Sequence, residues 1–375
     1  MSGTILLTAG GTGGHLFPAQ ALADVLLERG YVVDLATDRR ADKFGDAFPA
    51  RSTYLISSDT IRSKNPVALA RTGLKLLRGY WQASGILKRT KPSVVVGFGG
   101  YPTFPPMFAA RMRGVPTILH EANAVMGRAN RMLARHATAV ATSFPEILSG
   151  DGTEEKQVFT GNPLRSAVIT ACDVPWRTPG SRDRFKLLVF GGSQGARFFS
   201  QMMPSVLEAL PEELCSRIDL VQQSRPEDID MAAQDYAALG MKPELKSFFT
   251  DLPDRIAQAH LVICRSGATS VSELAAIGRP SILVPLPGAI DQDQSANART
   301  LESIGGAVFA AEASITPSGL AETIAGFMRS PQTLSTMAEA ARKEGRPNAV
   351  GRLADLVEHV ASGEKAASFL QGVPK

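Results

Sequence analysis

The chain is poor in the residues that build disulfide frameworks, metal clusters and stacking platforms. Its three cysteines, Cys172, Cys215 and Cys264, are an odd number without metal-ligand spacing. That fits a reducing compartment and argues against a disulfide scaffold. Two tryptophans and five tyrosines in 375 residues leave few rings for bases to stack on, so nucleic acid is not an expected partner. No basic region precedes the first apolar stretch, which Gly10 cuts short, so no signal peptide is expected. The charge-free segment Pro92 to Ala110 approaches membrane-span length but holds four prolines and three glycines, which a spanning helix does not tolerate. A last absence is local. From Arg62 to Arg113 there are ten lysines and arginines and no aspartate or glutamate.

What remains is the composition of a globular protein, 44% hydrophobic and 20% charged with a net charge of +4, on a chain long enough for two domains. Thr4 to Thr8 reads as a strand and runs into Gly10-Gly-Thr-Gly-Gly14-His15. A helix follows from about Pro18 to Arg29, then a second strand at Tyr31 to Ala36. This βαβ order predicts a parallel sheet, extended by strands at 94–97, 117–120 and 137–142. Near Phe185 the scheme restarts: a strand at 186–190, the glycine loop Gly191-Gly-Ser-Gln-Gly195, a helix at 196–210, and strands at 220–222, 261–264 and 281–285. The fold class is therefore α/β, with two doubly wound Rossmann-like domains. The linker is expected near Gly161 to Gly180, a final apolar-periodic helix at Ala349 to Val360, and a frayed tail beyond Ser362.

Each glycine loop follows a strand where open α/β sheets bind ligands, and frees backbone N–H groups at a helix N-terminus. If the domains face each other across a cleft, both loops serve it. His15 stands at the start of its helix, where the dipole disfavours a cation, so it can be neutral and take a proton. In the second loop Ser193 offers a hydroxyl and N–H groups to a phosphate, and Arg165 at the domain junction can balance a pyrophosphate. Glu121 and Asn123 are candidates for hydroxyl or amide recognition, or for capping the next helix. The segment Cys264 to Asn297 looks like half of a nucleotide site. Arg265-Ser-Gly267 opens a helix near Thr269, and Glu273 can accept from two vicinal ribose hydroxyls. Asp291, Gln292, Asp293, Gln294 and Asn297 pack five hydrogen-bonding side chains into seven positions, which suits a sugar, and Asp291 with Asp293 can also be read as a metal-binding pair, though a lone D-x-D is common by chance. The basic segment, interleaved with Leu69, Leu74, Leu76, Leu77, Tyr80, Trp81 and Ile86, reads as an interfacial anchor for an anionic membrane surface, or as an amphipathic helix packed on its own sheet. The patch residues are Arg71, Leu74, Lys75, Leu77, Arg78 and Trp81.

Taken in order, GGTGGHLFPAQALA, GFGGYPTFPP, LHEANAVMGRANR, GNPLR, GGSQGAR and CRSGATSVSE resemble the MurG family of bacterial transferases across nearly the whole chain. That family adds N-acetylglucosamine from UDP-GlcNAc to undecaprenyl-pyrophosphoryl-MurNAc-pentapeptide (lipid I), giving lipid II. The resemblance implies the GT-B arrangement. An acceptor- and membrane-binding domain would span residues 1–163 and a UDP-sugar domain 164–345, with a helix at 346–362 packed back on the first domain and a flexible tail at 363–375. It implies that Arg165, Ser193 and the backbone of Ala268, Thr269 and Ser270 meet the diphosphate, that Glu273 takes the ribose, and that the Phe249 backbone reads uracil. Gln294 and Asn297 would take the sugar. Thr12, Gly13, Gly14 and Asn123 join the donor contacts, and His15, Glu121 and Asn123 line the acceptor side. Asp293 stands where the family often has glutamine. No cofactor and no metal are expected. The implied place is the cytoplasmic face of the inner membrane, with cell-wall synthesis and division proteins as candidate partners.

The implied reaction inverts at the anomeric carbon. The C4 hydroxyl of MurNAc attacks, UDP leaves, and His15 acts as base with Glu121 in reserve. Three alternatives stay open. One is a UDP-GlcNAc epimerase of the same fold, another an NAD-dependent oxidoreductase with Asp38 on the ribose, and the third a non-catalytic membrane binder.

Overall fold

The computed structural model describes residues 3–10, 12–40, 48–59, 65–145, 147, 154–192, 195–288 and 292–371. Two compact units emerge, Met1–Arg165 with Asn348–Lys375, and Ser166–Pro347. The chain crosses between them two residues beyond each expected boundary.

In the first unit, strands β1 (Thr4–Thr8), β2 (Val32–Thr37), β3 (Ser52–Leu55), β4 (Val94–Gly97), β5 (Thr117–Glu121), β6 (Ala139–Thr142) and β7 (Gln157–Phe159) form one sheet of order β3-β2-β1-β4-β5-β6-β7. All of its pairs are parallel. The strands read as apolar runs because both faces are covered. Ile5, Leu7, Val94, Val96 and Ile118 enter one core, and Leu6, Val95, Leu119 and Val140 enter the other. Helix α1 (Gly13–Glu28) covers the first face, while α2 (Pro66–Thr90), α3 (Phe104–Met112) and α4 (Arg128–Ala134) serve the second. Helix α1 begins five residues before the expected Pro18, which puts His15 inside its first turn.

The second unit carries α5 (Ser166–Cys172), β8 (Phe185–Phe190), α6 (Arg197–Glu208), α7 (Glu212–Cys215), β9 (Ile218–Gln223), α8 (Ile229–Ala238), β10 (Glu244–Lys246), α9 (Leu252–Gln258), β11 (Leu261–Cys264), α10 (Ala268–Ile277), β12 (Ser281–Leu283), α11 (Asp293–Glu302), β13 (Ala307–Phe309), α12 (Pro317–Arg329) and α13 (Pro331–Glu344). Its sheet, also parallel throughout, runs β10-β9-β8-β11-β12-β13. The segment expected as linker thus includes a helix, α5, which packs against α9 and α10. Arg279 lies fully buried between those helices and donates to the carbonyls of Val174, Ala257, Ile277 and Gly278. The negative C-terminal ends of α9 and α10 thereby hold a guanidinium whose pKa burial and the nearby Arg342 push down to about 10.

Helix α14 (Ala349–Ala361) returns to the first unit. Leu353, Leu356, Val357 and Val360 recur at helical spacing and are all buried in the core that holds Leu22 and Leu26 of α1. At the rim, Arg29 pairs with Asp355 and Glu358 at 2.8 and 2.6 Å. Within the segment expected as a tail, residues 366–371 form α15 (Ala366–Gln371), and Ala366 enters the same core. Replacing Leu356 with Ala is expected to destabilise the first unit by about 2–5 kcal/mol. Chemical denaturation reads this, and an unchanged midpoint would show that α14 contributes no packing.

Candidate functional site

In the first sheet the strand order turns between β1 and β4, so the loops leaving those strands diverge there and open a crevice at the carboxyl edge. Gly10 N–H bonds Gly99 O across that gap at 3.0 Å. Thr12, extended at φ −122° and ψ 149°, leads into α1 without a side-chain cap, and no acidic residue lies in the first turn. The positive end of the helix dipole is therefore uncompensated there. Gly99 and Gly100 both take positive φ, and Cβ atoms on them would lie 3.3 Å from the His15 ring. A Cβ on Gly100 would also lie 3.1 Å from the Gly10 backbone, so only glycine lets the strand end and the imidazole pack this closely. Burial holds the His15 pKa below its ordinary value. A hydrogen bond with the Phe98 backbone opposes that shift, Arg40 adds to it, and Asp38 acts against it. Asp38 itself is gripped by the Arg40 backbone and guanidinium.

Glu121 ends β5 and is 2% exposed. Its Oε1 accepts from the Asn123 N–H at 3.0 Å and Nδ2 at 3.3 Å, and its Oε2 from the Gly127 N–H at 3.1 Å and Asn130 Nδ2 at 2.8 Å. Burial raises its pKa while these four bonds, which favour the carboxylate, lower it. The carboxylate thus fixes the path of residues 122–127 and the start of α4. Next to it on the strand, buried His120 meets Ser143 Oγ at 3.3 Å through Nε2, and burial takes its pKa down to about 4. Among the described residues, several enclosed polar atoms along this edge have no hydrogen-bond partner: Asn130 Oδ1, Thr142 Oγ1 and both amide atoms of Asn162. Buried polar groups are nearly always paired, with protein, ordered water or a ligand, so these atoms leave polar positions along this edge for water or a ligand to fill. Arg165 stacks on Phe17 of α1 at 4.3 Å, which brings the GNPLR segment to the same helix start.

The second sheet repeats the device between β8 and β11. A Cβ on Gly191 would fall 2.2 Å from Ala196 N, so the loop turns back on itself only with glycine there. Gly191 N–H donates to Gln223 Oε1 at 3.0 Å. Behind it, Tyr236, Gln222, Ser224 and Ser200 form a buried chain of hydrogen bonds. Gly267 leads into α10 with no side-chain cap and no acid in the first turn, which begins at Ala268, Thr269 and Ser270. Thr269 Oγ1 there is enclosed and unpaired. Glu273, one turn on, is buried. Gln294 Oε1 accepts from Leu286 N–H at 2.9 Å, and Asn297 Nδ2 donates to Ser266 O at 3.2 Å. Asn297 is fully buried, so it ties the start of α11 to the loop after β11. Phe249 lies buried under the Arg255 guanidinium at 4.4 Å.

The residues singled out in the sequence therefore gather at two strand edges. Thr12, Gly13, Gly14, His15, Glu121, Asn123 and Arg165 belong to the first unit, and Phe249, Ala268, Thr269, Glu273, Gln294 and Asn297 to the second. Ser193 and Asp291 lie outside the described residues. His120, Asn130, Asn162, Arg265 and Ser266 fall inside the quoted motifs but carry no assigned role there. An unpaired buried amide or a loop-crossing hydrogen bond has no local sequence signal.

On α2, Leu74, Leu77 and Trp81 share one stripe and are 69%, 52% and 67% exposed. Arg71 and Arg78 are exposed beside them, and Lys75 pairs with Asp59 at 2.6 Å. Phe108 and Met112 of α3 are exposed too. Ile86, counted in the sequence with the apolar anchor, instead enters the core with Ala83 and Leu87. Among the described residues no helix is long and apolar enough to cross a membrane.

Comparison with known proteins agrees with this layout. Residues 5–142 match the glycosyltransferase family 28 N-terminal domain, and residues 186–353 match the family's C-terminal domain. A relative from Chelativorans sp. (strain BNC1) is 52% identical over 367 residues, 98% of this chain and 97% of that one. A relative from Brucella abortus (strain S19) is 49% identical over 370 residues, 99% and 97% of the two chains. Both are named UDP-N-acetylglucosamine–N-acetylmuramyl-(pentapeptide) pyrophosphoryl-undecaprenol N-acetylglucosamine transferase. A crystal structure of MurG from Acinetobacter baumannii superimposes with a TM-score of 0.77 at 29% identity, covering 96% of this chain and 99% of that one. A UDP-GlcNAc 2-epimerase from Neisseria meningitidis, bound to UDP-GlcNAc, reaches 0.69 at 13% identity over 96% of this chain and 100% of that one, a likeness of fold alone. With both domain models matched in chain order and about half its residues shared with full-length relatives, the chain belongs to glycosyltransferase family 28.

Proposed function

We propose that the protein transfers N-acetylglucosamine from UDP-GlcNAc to the C4 hydroxyl of MurNAc in lipid I, with inversion at the anomeric carbon. The observation that carries this reading is the pairing of two strand-edge sites of different chemistry. One centres on a buried imidazole at a helix start, whose pKa burial lowers. The other centres on an uncapped helix N-terminus followed by a buried carboxylate and a sugar-scale carboxamide. The shared name of the close relatives supplies the substrates.

In this mechanism the second unit holds the donor. The N–H groups of α10's first turn and the Thr269 hydroxyl meet the diphosphate, Glu273 takes the ribose hydroxyls, and Gln294 meets the sugar. Negative charge that builds on the departing diphosphate is stabilised by the helix dipole and by Arg165. The first unit binds the acceptor, and His15 removes the proton from the attacking hydroxyl. Glu121 takes a positioning role instead, because both of its oxygens already accept hydrogen bonds that hold the 122–127 loop. Burial leaves its pKa above the ordinary carboxylate value, but its four acceptor contacts are directed into the loop and not at a substrate hydroxyl. An epimerase needs no lipid acceptor and gives no reason for the exposed stripe on α2. We further propose that this stripe, with its basic flank, seats the protein on the anionic cytoplasmic face of the inner membrane, beside cell-wall synthesis and division proteins.

Radiolabelled UDP-GlcNAc with a lipid I analogue tests the reaction. Label should move to the lipid, and His15→Ala should lower turnover by roughly 10²- to 10⁴-fold with donor affinity little changed. Label left on the nucleotide as an epimerised sugar would favour the epimerase. Because the folded-state pKa of His15 is depressed, the neutral base persists as pH falls through its ordinary value of 6.5. The acid limb of the turnover profile should therefore lie below that pH, and a limb at or above it would remove His15 from the role. Replacing Leu77 and Trp81 with Ser should weaken sedimentation with anionic liposomes without altering activity on a water-soluble acceptor. Undiminished sedimentation would exclude the stripe as the membrane contact.

A further inference from the structure

The loop after β12 contains one peptide held at both of its polar atoms. The Pro285 carbonyl accepts from Arg265 Nη1 at 3.1 Å, and the N–H of the same peptide, on Leu286, donates to Gln294 Oε1 at 2.9 Å. Arg265 Nη1 also reaches the Val284 carbonyl at 3.2 Å, and Nη2 pairs with Glu312, which lies beyond β13. The rings of Phe198 and Phe199 on α6 lie 5.5 and 5.3 Å from the guanidinium carbon. With Arg265 only 7% exposed, one cation ties the ends of β11, β12 and β13 to the helix that follows the second glycine loop. The Gln294 carbonyl is pinned as well, by the Ser266 hydroxyl at 2.9 Å.

A backbone N–H can only donate, so the Gln294 atom that faces Leu286 must be the amide oxygen, and its NH2 group must face the other way. A guanidinium on the carbonyl of that peptide polarises it and strengthens its N–H as a donor. The orientation of Gln294 is therefore set through the peptide by a residue that lies 29 positions earlier in the chain.

We propose that Arg265, with Glu312 as its counter-charge, is a positioning residue that fixes the polarity with which Gln294 meets a bound sugar. With its oxygen turned to the Leu286 N–H, Gln294 presents its NH2 to the other side, so the sugar atom it reads is an acceptor, a hydroxyl oxygen or an acetamido carbonyl. This rests on the reading of the second unit as a UDP-sugar site, and adds to it which side of the hydrogen bond the protein supplies and what enforces it.

Calorimetry with UDP-GlcNAc and with UDP, without acceptor, tests it on the full chain. Gln294→Ala should weaken UDP-GlcNAc about tenfold relative to UDP, the scale of one hydrogen bond. Gln294→Glu keeps the acceptor for Leu286 but carries no donor, so it should lose as much as Gln294→Ala. Glu312→Gln and Arg265→Met should lose part of the same ratio with UDP affinity retained, and Glu312→Asp should restore it. Wild-type affinity in Gln294→Glu would overturn the donor polarity. Equal loss of UDP and UDP-GlcNAc in both Glu312→Gln and Arg265→Met would overturn the positioning role and leave them as general supports of the loop. Because Arg265→Met strands a buried carboxylate, Glu312→Gln decides if Arg265→Met does not fold. A wild-type chain that binds neither ligand, or a Gln294→Ala variant with unaltered affinity, would instead sink the sugar-site reading beneath the proposal.

Discussion

Parallel strands that share a sheet all leave it by the same edge, and each unit of this protein is built on that constraint. Every pair in both sheets is parallel, so each strand's carboxyl-end loop and the helix start behind it arrive at one rim. Those helix starts carry N–H groups that no helical carbonyl can accept. Where the order of strands turns, between β1 and β4 and between β8 and β11, adjacent loops part and the rim opens. Glycine is then required by close approach, as at Gly100 against the Gly10 backbone and at Gly191 against Ala196.

Both rims are stiffened by one buried charge, and the two charges are of opposite sign. Glu121 gathers four donors and so fixes the loop after β5, while Arg265 spends its donors on two carbonyls and Glu312 and so fixes the loops after β12 and β13. A donor-only or acceptor-only group at the base of a loop imposes direction on every peptide bonded to it. This is a cheaper way to hold irregular backbone than apolar packing, because loops have few side chains to bury. It is also the ground on which we propose Glu121 as a support rather than a reserve base.

Much of the fold was legible because it is written locally. The runs at β1, β4 and β11 occupy the positions expected from their apolar composition, and the glycine loops mark where they end. Strands β3, β7, β10 and β13 were missed for a physical reason. They have three or four residues, and β3 and β10 alternate with exposed positions, so they carry no apolar run. Helix α5 was read as linker because its seven residues, Ser166–Cys172, span only about two turns, too few for an apolar stripe to stand out beside the prolines on either side. His15 and Glu273 could be singled out in the sequence because their expected chemistry depends on the helix start beside them. His120, Asn130, Asn162 and Arg265 could not, since each takes its meaning from groups that meet it only across strands.

The sequence by itself determined the two α/β sheets, the rims on which polar groups fall, and the family, because hydrophobic period, glycine placement and ordered motifs are local properties that survive without neighbours. Tertiary structure alone decided which of those groups are free to act. It enclosed Glu121 in hydrogen bonds, buried Ile86 while leaving Leu77 and Trp81 outside, and set the Gln294 amide oxygen against the Leu286 N–H, because burial and hydrogen-bond polarity exist only once distant segments have been brought together.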